Sequence, residues 1–97
     1  MDPVDVSVII PTHHRERELL EAISSVLLQR GVALEIIVVD DSAEGSARQA
    51  VATLSDKRVS YVLRAEPSKG RPARARNDGA ALARGRYLYF LDRKSVV

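Results

Sequence analysis

Two short apolar runs, both rich in β-branched residues, constrain most strongly how this chain can fold. They occupy residues 6–10 and 35–39, and apolar side chains are nearly continuous along both. A half-exposed strand alternates polar and apolar residues, whereas a nearly continuous apolar run is typical of a strand covered on both faces. The two runs therefore predict strands of a parallel sheet with helices packed against it.

The segment between these runs predicts a helix. Leu19, Ile23, Val26 and Leu27 recur at the spacing of one helical face. Gly31 follows and is predicted to end the helix, because glycine adopts the left-handed conformation common at helix ends. Strand, helix and strand together form a β-α-β unit.

The same alternation continues through the rest of the chain. Residues 46–54 predict a shorter helix with Ser46 as its N-cap, and residues 59–63 predict a third strand. Residues 72–84 predict a third helix, and residues 87–91 predict a fourth strand. Alternating strands and helices predict an α/β fold with a mostly parallel sheet. Gly79, inside the third helix, costs roughly 1 kcal/mol relative to alanine and is expected to mark close packing.

The composition excludes several classes of protein. There are no cysteines, so disulfides and thiolate metal sites are excluded. No apolar run approaches the ~18 residues that a membrane span needs, and the acidic N-terminus does not fit a secretory signal. The expected location is the cytoplasm.

The charge is distributed unevenly. Residues 1–63 carry 6 basic and 10 acidic side chains, and residues 64–94 carry 9 basic and 3 acidic ones, which gives −4 and +6. A basic C-terminal third suggests an anionic partner, and a solvated basic face is the alternative. Base stacking by Tyr87, Tyr89 and Phe90 is not expected, because these aromatic residues fall in a predicted buried strand. A nucleic-acid partner is therefore not predicted.

Polar residues follow all four predicted strands. They lie at residues 11–14, at residues 40–42, within residues 64–76 and at Asp92. Ligands of open parallel sheets bind outside the carboxyl ends of the strands. The sequence therefore predicts a ligand site at this edge of the sheet.

Several of these segments resemble the N-terminal half of family 2 glycosyltransferases. The resemblance covers nearly the whole chain in order, at residues 6–12, 24–29, 35–42, the Arg76-Asn77 pair and residues 85–92. It implies that residues 1–97 are the N-terminal nucleotide-binding part of a truncated, Rossmann-like GT-A domain. The implied ligand is a nucleoside diphosphate sugar, with a UDP-sugar expected, and the implied activity is transfer of the sugar to an acceptor.

The resemblance also implies roles for individual residues. Asp41 is expected to accept a hydrogen bond from the base, usually uracil, while Asp40 orders the loop. The alternative is that the Asp40-Asp41-Ser42 cluster only caps the following turn. Pro11, Thr12 and His13 are expected to form the wall beside the base and ribose.

Basic residues near the third helix are candidates for phosphate contact. Arg76 belongs to the family pair and is expected near the nucleotide, whereas Arg71 and Arg74 stay undecided between phosphate binding and solvation. A metal site at His13 and His14 is not expected, since adjacent loop histidines seldom supply two ligands without further partners.

The family's metal motif is altered at the end of the chain. The resemblance implies an Asp-x-Asp motif that holds ribose and Mg²⁺ or Mn²⁺. Asp92 matches its first aspartate, whereas Lys94 stands in place of the last one. An ammonium group cannot ligate a hard cation. We therefore expect an incomplete, inactive fragment that associates with itself through an uncovered sheet edge; the alternative is a non-catalytic binding module that has kept the fold.

Overall fold

The computed structural model describes residues 3–13, 15–42, 44–64 and 72–91. Four strands form one sheet: β1 (Val6–Thr12), β2 (Leu34–Asp40), β3 (Val59–Leu63) and β4 (Tyr87–Phe90). The spatial order is β3-β2-β1-β4, and all three pairings are parallel. The predicted α/β fold is confirmed, and the sheet is entirely parallel across these strands.

Three helices connect the strands: α1 (Glu16–Leu27), α2 (Arg48–Ala52) and α3 (Pro72–Leu82). α1 ends before Gly31, which has a φ of 77° in the turn leading to β2. The prediction that Ser46 caps the second helix is wrong. α2 begins later, and its N-cap residue is Ala47.

The core has two layers, one on each face of the sheet. Alternate side chains of β1 and β2 pack with α1 and α2 on one face, in a buried cluster that includes Ile23, Ile36 and Val38. The residues between them, Ile9 and Val39 among them, form a smaller cluster on the other face. Every residue of β2 is buried. This is the environment that nearly continuous apolar runs predict.

α3 packs on the face of the smaller cluster, and Gly79 is the closest point of contact. A Cβ added at this glycine would lie 2.5 Å from Cγ2 of Ile9 and 3.2 Å from Cγ2 of Val39. Only a residue without a Cβ fits at such a distance without displacing its neighbours. The expectation that Gly79 marks close packing is confirmed.

The prediction of a buried fourth strand is wrong. β4 lies at one end of the sheet order, and all four of its residues are exposed. Tyr87 is 64% exposed and Tyr89 53%. A strand at a sheet edge has a neighbour on one side only, which its apolar composition does not reveal. The burial argument against base stacking by these aromatic residues therefore does not hold.

Candidate functional site

The carboxyl ends of β1, β2 and β3 lie side by side. Thr12 pairs with Asp40, and Asp40 pairs with Leu63, so the last residues of the three strands are level with one another. The ladder continues one residue further: the Asp41 N–H donates to the Thr12 carbonyl across 2.8 Å, and the Arg64 N–H donates to the Asp40 carbonyl across 3.0 Å. The polar residues after these strands are thus held by main-chain hydrogen bonds of the sheet.

Asp40 organises the loop that follows β2. Its side chain is fully buried. Oδ1 accepts hydrogen bonds from the N–H and Oγ of Ser42 at 2.9 and 2.7 Å. Oδ2 accepts from the N–H of Ala47 at 2.9 Å and from the Tyr61 hydroxyl at 2.6 Å. The expected loop-ordering role of Asp40 is confirmed.

The segment just before α2 is held by Asp40 and Ser42 rather than by the Ser46 side chain. The Ala47 N–H is taken by Asp40, and the Ser46 N–H donates to Oγ of Ser42 across 2.8 Å. Oγ of Ser46 is buried without a hydrogen-bond partner among the described residues. No side chain in the described ranges caps α2, and Asp40 instead holds the N–H of its N-cap residue, Ala47.

Asp40 is held in its charged form. Burial alone raises the pKa of this carboxyl group, but the hydrogen bonds from Ser42, Tyr61 and Ala47 outweigh burial and lower its pKa. Burial and the neighbouring carboxylate raise the pKa of Tyr61 to about 12. Tyr61 therefore remains a hydrogen-bond donor to Asp40 throughout the neutral pH range.

Asp41 lies beside Arg64 at the same edge. Only 7% of Asp41 is exposed. Its Oδ1 lies 3.5 Å from Nε of Arg64, and Nη1 of Arg64 lies 3.2 Å from Oδ2 of Asp78 in α3. The arginine thus connects the residue after β2 with the third helix.

The other predicted site residues have different positions. Thr12 is buried and bound to Asp41 through the main chain, Pro11 is partly buried in β1, and His13 is exposed beyond the strand end. Arg76 belongs to α3. The structure therefore brings Thr12 and Asp41 together. The expectations for His14, Arg71, Asp92 and Lys94 fall outside the described residues.

Sequence reasoning gave no individual role to three residues at this edge: Tyr61, Arg64 and Asp78. Arg64 carried a usable signal, because it directly follows a predicted strand, where the carboxyl-end rule directs attention. Tyr61 and Asp78 carried none. Tyrosine is ordinary in a strand, and an aspartate in a helix gives no indication of a distant arginine.

The described residues do not form a metal site of their own. No group of three or more histidine, cysteine, aspartate or glutamate residues in this part of the chain could hold an ion. The expected metal ligand, Asp92, lies beyond it.

A second buried carboxylate, Glu35, lies near the amino ends of β1 and β2. Oε2 of Glu35 accepts hydrogen bonds from Oγ of Ser7 at 2.6 Å and from the Arg84 N–H at 2.7 Å, and Oε1 accepts from Nε of Arg84 at 3.0 Å. Burial raises the pKa of Glu35, but these bonds outweigh it and lower the pKa. A Cβ on the adjacent Gly85 would lie 2.7 Å from the Ser7 nitrogen. This network fastens the segment after α3 to β1 and β2.

Comparison with known proteins identifies the family. Residues 7–93 match the sequence profile described as "Glycosyl transferase family 2". The chain belongs to this family. The predicted resemblance is confirmed, and members of the family are named glycosyltransferases.

Two curated family members illustrate the similarity. The chain is 34% identical over 93 residues to the succinoglycan biosynthesis protein ExoO of Rhizobium meliloti, covering 96% of this chain and 26% of ExoO. It is 38% identical over 96 residues to the Escherichia coli UDP-Glc:alpha-D-GlcNAc-diphosphoundecaprenol beta-1,3-glucosyltransferase WfgD, covering 99% of this chain and 37% of WfgD. The chain therefore spans about a quarter of ExoO and somewhat more than a third of WfgD.

A solved structure supports the fold assignment. The crystal structure of S. aureus TarS 1–349 superposes with a TM-score of 0.81 at 28% identity, covering 93% of this chain and 27% of TarS. The family fold is GT-A, as predicted. Within the described ranges, no helix has the length and apolar character needed to cross a membrane.

Proposed function

We propose that residues 1–97 are the donor-binding region of a glycosyltransferase and that they bind a nucleoside diphosphate sugar at the carboxyl edge of the sheet. The observation that carries the proposal is the position of Asp41. It is a carboxylate with little exposed surface, fixed beside the end of β1 by its main-chain bond to Thr12. A carboxylate so placed can accept the imide N–H of a base in a charge-assisted hydrogen bond.

Uracil is the proposed base, and a UDP-sugar is the proposed donor. An imide N–H suits a carboxylate acceptor, and the relative WfgD is named as a UDP-Glc-dependent glucosyltransferase. Thr12, with Pro11 and His13 beside it, forms the proposed wall next to the base and ribose. Arg76 in α3 is the proposed phosphate contact, because arginine and the first turns of a helix both favour phosphate.

The proposed role of this chain is donor binding, without a metal-dependent step. Family 2 enzymes generally use a divalent cation, which would neutralise the diphosphate when bound. Asp92 remains the predicted ligand, with Lys94 in place of the motif's last aspartate. The absence of sugar transfer by these residues alone also stays a prediction.

The test is a titration of the chain with UDP, followed by NMR. Amide signals of Thr12, Asp41 and Arg76 should shift together and saturate. Shifts confined to Arg84 and Arg86 would indicate nonspecific binding of an anion and would overturn the proposal.

A pair of matched variants assigns the base contact. Asp41→Ala should weaken UDP binding by about 1–3 kcal/mol, the cost of losing a hydrogen bond to a charged group. Asp56→Ala is the control, since Asp56 also pairs with an arginine, Arg58, but lies in the turn before β3. Equal affinities for the two variants would contradict the role of Asp41.

A further inference from the structure

Arg64 lies beside Asp41, the proposed base-binding residue, but the proposed function gives Arg64 no role. It directly follows β3, and its N–H extends the sheet by donating to the Asp40 carbonyl. Only 11% of its side chain is exposed. An arginine enclosed to this extent beside two carboxylates has a defined direction, unlike a solvated surface arginine.

The guanidinium joins two elements that are otherwise separate in sequence. Nε lies 3.5 Å from Oδ1 of Asp41 after β2, and Nη1 lies 3.2 Å from Oδ2 of Asp78 in α3, the latter an ion pair rather than a hydrogen bond. The charge of a planar guanidinium is spread over its nitrogens, so one arginine can attract two carboxylates from fixed directions. A lysine ammonium is a point charge and imposes less geometry.

We infer that Arg64 is a positioning residue for the nucleotide site. It holds the Asp41 carboxylate in the orientation that accepts the base, and it ties that carboxylate to α3 through Asp78. The inference rests on the proposed function. A binding group that is already oriented loses less conformational entropy when the ligand arrives. Loss of the guanidinium would also leave Asp41 and Asp78 without this shared cation.

The decisive variant is Arg64→Gln, compared with Arg58→Gln. Both remove the charge of an arginine paired with an aspartate, but the Arg58–Asp56 pair lies in the turn before β3. Affinities of the full chain for UDP and for inorganic pyrophosphate are measured by calorimetry.

Arg64→Gln should bind UDP roughly tenfold more weakly, as expected for one lost charge-assisted contact. Its affinity for pyrophosphate should change less than about twofold, because pyrophosphate has no base for Asp41 to bind. Arg58→Gln should match the wild type for both ligands.

Two further variants keep the inference testable if Arg64→Gln does not fold. Asp78→Asn removes the charge at the far end and should weaken UDP binding severalfold, with pyrophosphate binding preserved. Arg64→Lys keeps the charge and should bind UDP more weakly than the wild type but more tightly than Arg64→Gln.

The outcomes separate this inference from the proposed function. A wild-type chain that does not bind UDP overturns the proposed function and this inference with it. If the wild type binds UDP, two results overturn the role of Arg64 alone. One is wild-type UDP affinity in the folded Arg64 and Asp78 variants. The other is an equal loss of UDP and pyrophosphate affinity, which would indicate a general structural effect.

Discussion

Tyr61 donates its phenolic hydrogen to Oδ2 of Asp40 across 2.6 Å, joining β3 to the carboxylate that orders the loop after β2. Asp40 is fully buried, so each of its hydrogen bonds compensates for water lost on folding. The neighbouring Asp41 is held by its N–H, which donates to the Thr12 carbonyl at the end of β1. The contact between Tyr61 and Asp40 therefore stabilises the residue that directly precedes the proposed base-binding residue.

Removal of the Tyr61 hydroxyl should destabilise the chain. Tyr61→Phe keeps the ring but leaves Asp40 with one donor fewer, at an expected cost of about 1.5–3 kcal/mol for a bond to a charged group. Urea denaturation at pH 7 measures the change. Tyr87→Phe is the control, because Tyr87 is 64% exposed, and it should change the free energy of unfolding by less than about 0.5 kcal/mol.

The same pair predicts a specific loss of stability at high pH. The pKa of Tyr61 is about 12 in the folded chain, against 10.0 for an ordinary tyrosine. Between these values the unfolded chain has lost a proton that the folded chain retains, so the free energy of unfolding falls as the pH rises. The stability difference between wild type and Tyr61→Phe should therefore shrink from pH 10 to pH 12. A constant difference would contradict the raised pKa.

Acid should weaken the hydrogen-bond network of Glu35 near the amino ends of β1 and β2. The folded pKa of Glu35 lies below its ordinary value of 4.5, so its contribution is present above that value and is lost as the pH falls. Glu35→Gln should be about 1–3 kcal/mol less stable than wild type at pH 7. This difference in the free energy of unfolding should narrow as the pH falls below about 4.5, the ordinary pKa of glutamate.

Glu21→Gln is the matched control for this acid effect. Glu21 pairs with Arg17 on the exposed surface of α1 at 3.6 Å, where an ion pair contributes little. Denaturation curves measured from pH 7 to pH 3 should nearly superpose with those of the wild type. If the free energy of unfolding of Glu35→Gln and of Glu21→Gln differed from that of the wild type by the same pH-dependent amount, the proposed contribution of the Glu35 network would be contradicted.

Gly79→Ala should destabilise the chain even though alanine favours helix. The new Cβ would stand 2.5 Å from Cγ2 of Ile9, whose side chain is fully buried. Overpacking of this kind costs about 1–3 kcal/mol, and the gain in helix propensity offsets only ~1 kcal/mol. Asn77→Ala, at an exposed position of the same helix, should be neutral or slightly stabilising. Thermal melts that show no loss for Gly79→Ala would contradict the close packing.

The strands were predictable because their signal is local. β2 was recognised from a β-branched run, and the structure buries every residue of it. The start of α2 was not predictable in this way. The N–H of its N-cap residue, Ala47, donates to the Asp40 side chain at the end of β2, a contact that capping preferences for residues next to a helix do not reveal.

Exposure of β4 and the role of Arg64 depend on tertiary arrangement. The apolar run of β4 looks the same in a central strand as in an edge strand, and the order of strands decides which it is. The carboxyl-end rule directed attention to the edge where Thr12, Asp41 and Arg64 lie together, and the family resemblance selected Asp41. It could not reveal that Arg64 reaches both Asp41 and Asp78, because those contacts depend on how α3 is placed on the sheet.

The exposed β4 strand predicts self-association. Tyr87, Leu88, Tyr89 and Phe90 are between 41% and 64% exposed. On the α1 side, Tyr89 and Leu91 border an apolar groove of about 410 Å³ whose floor includes Val8. An exposed strand edge is a template for pairing with another strand, and a second copy of the chain brings the same edge. We therefore expect a symmetric dimer that pairs through β4.

Sedimentation equilibrium over a range of concentrations tests this expectation. The wild type should move from monomer to dimer as concentration rises, and Tyr89→Lys should shift the transition to higher concentration, because lysine on an edge strand opposes pairing. Leu28→Lys is the matched control. Leu28 is 76% exposed just after α1, and its replacement should leave the dimer unchanged. A wild-type chain that stays monomeric at every concentration and melts in a sharp cooperative transition would show that β4 is stable at the sheet edge without a second copy.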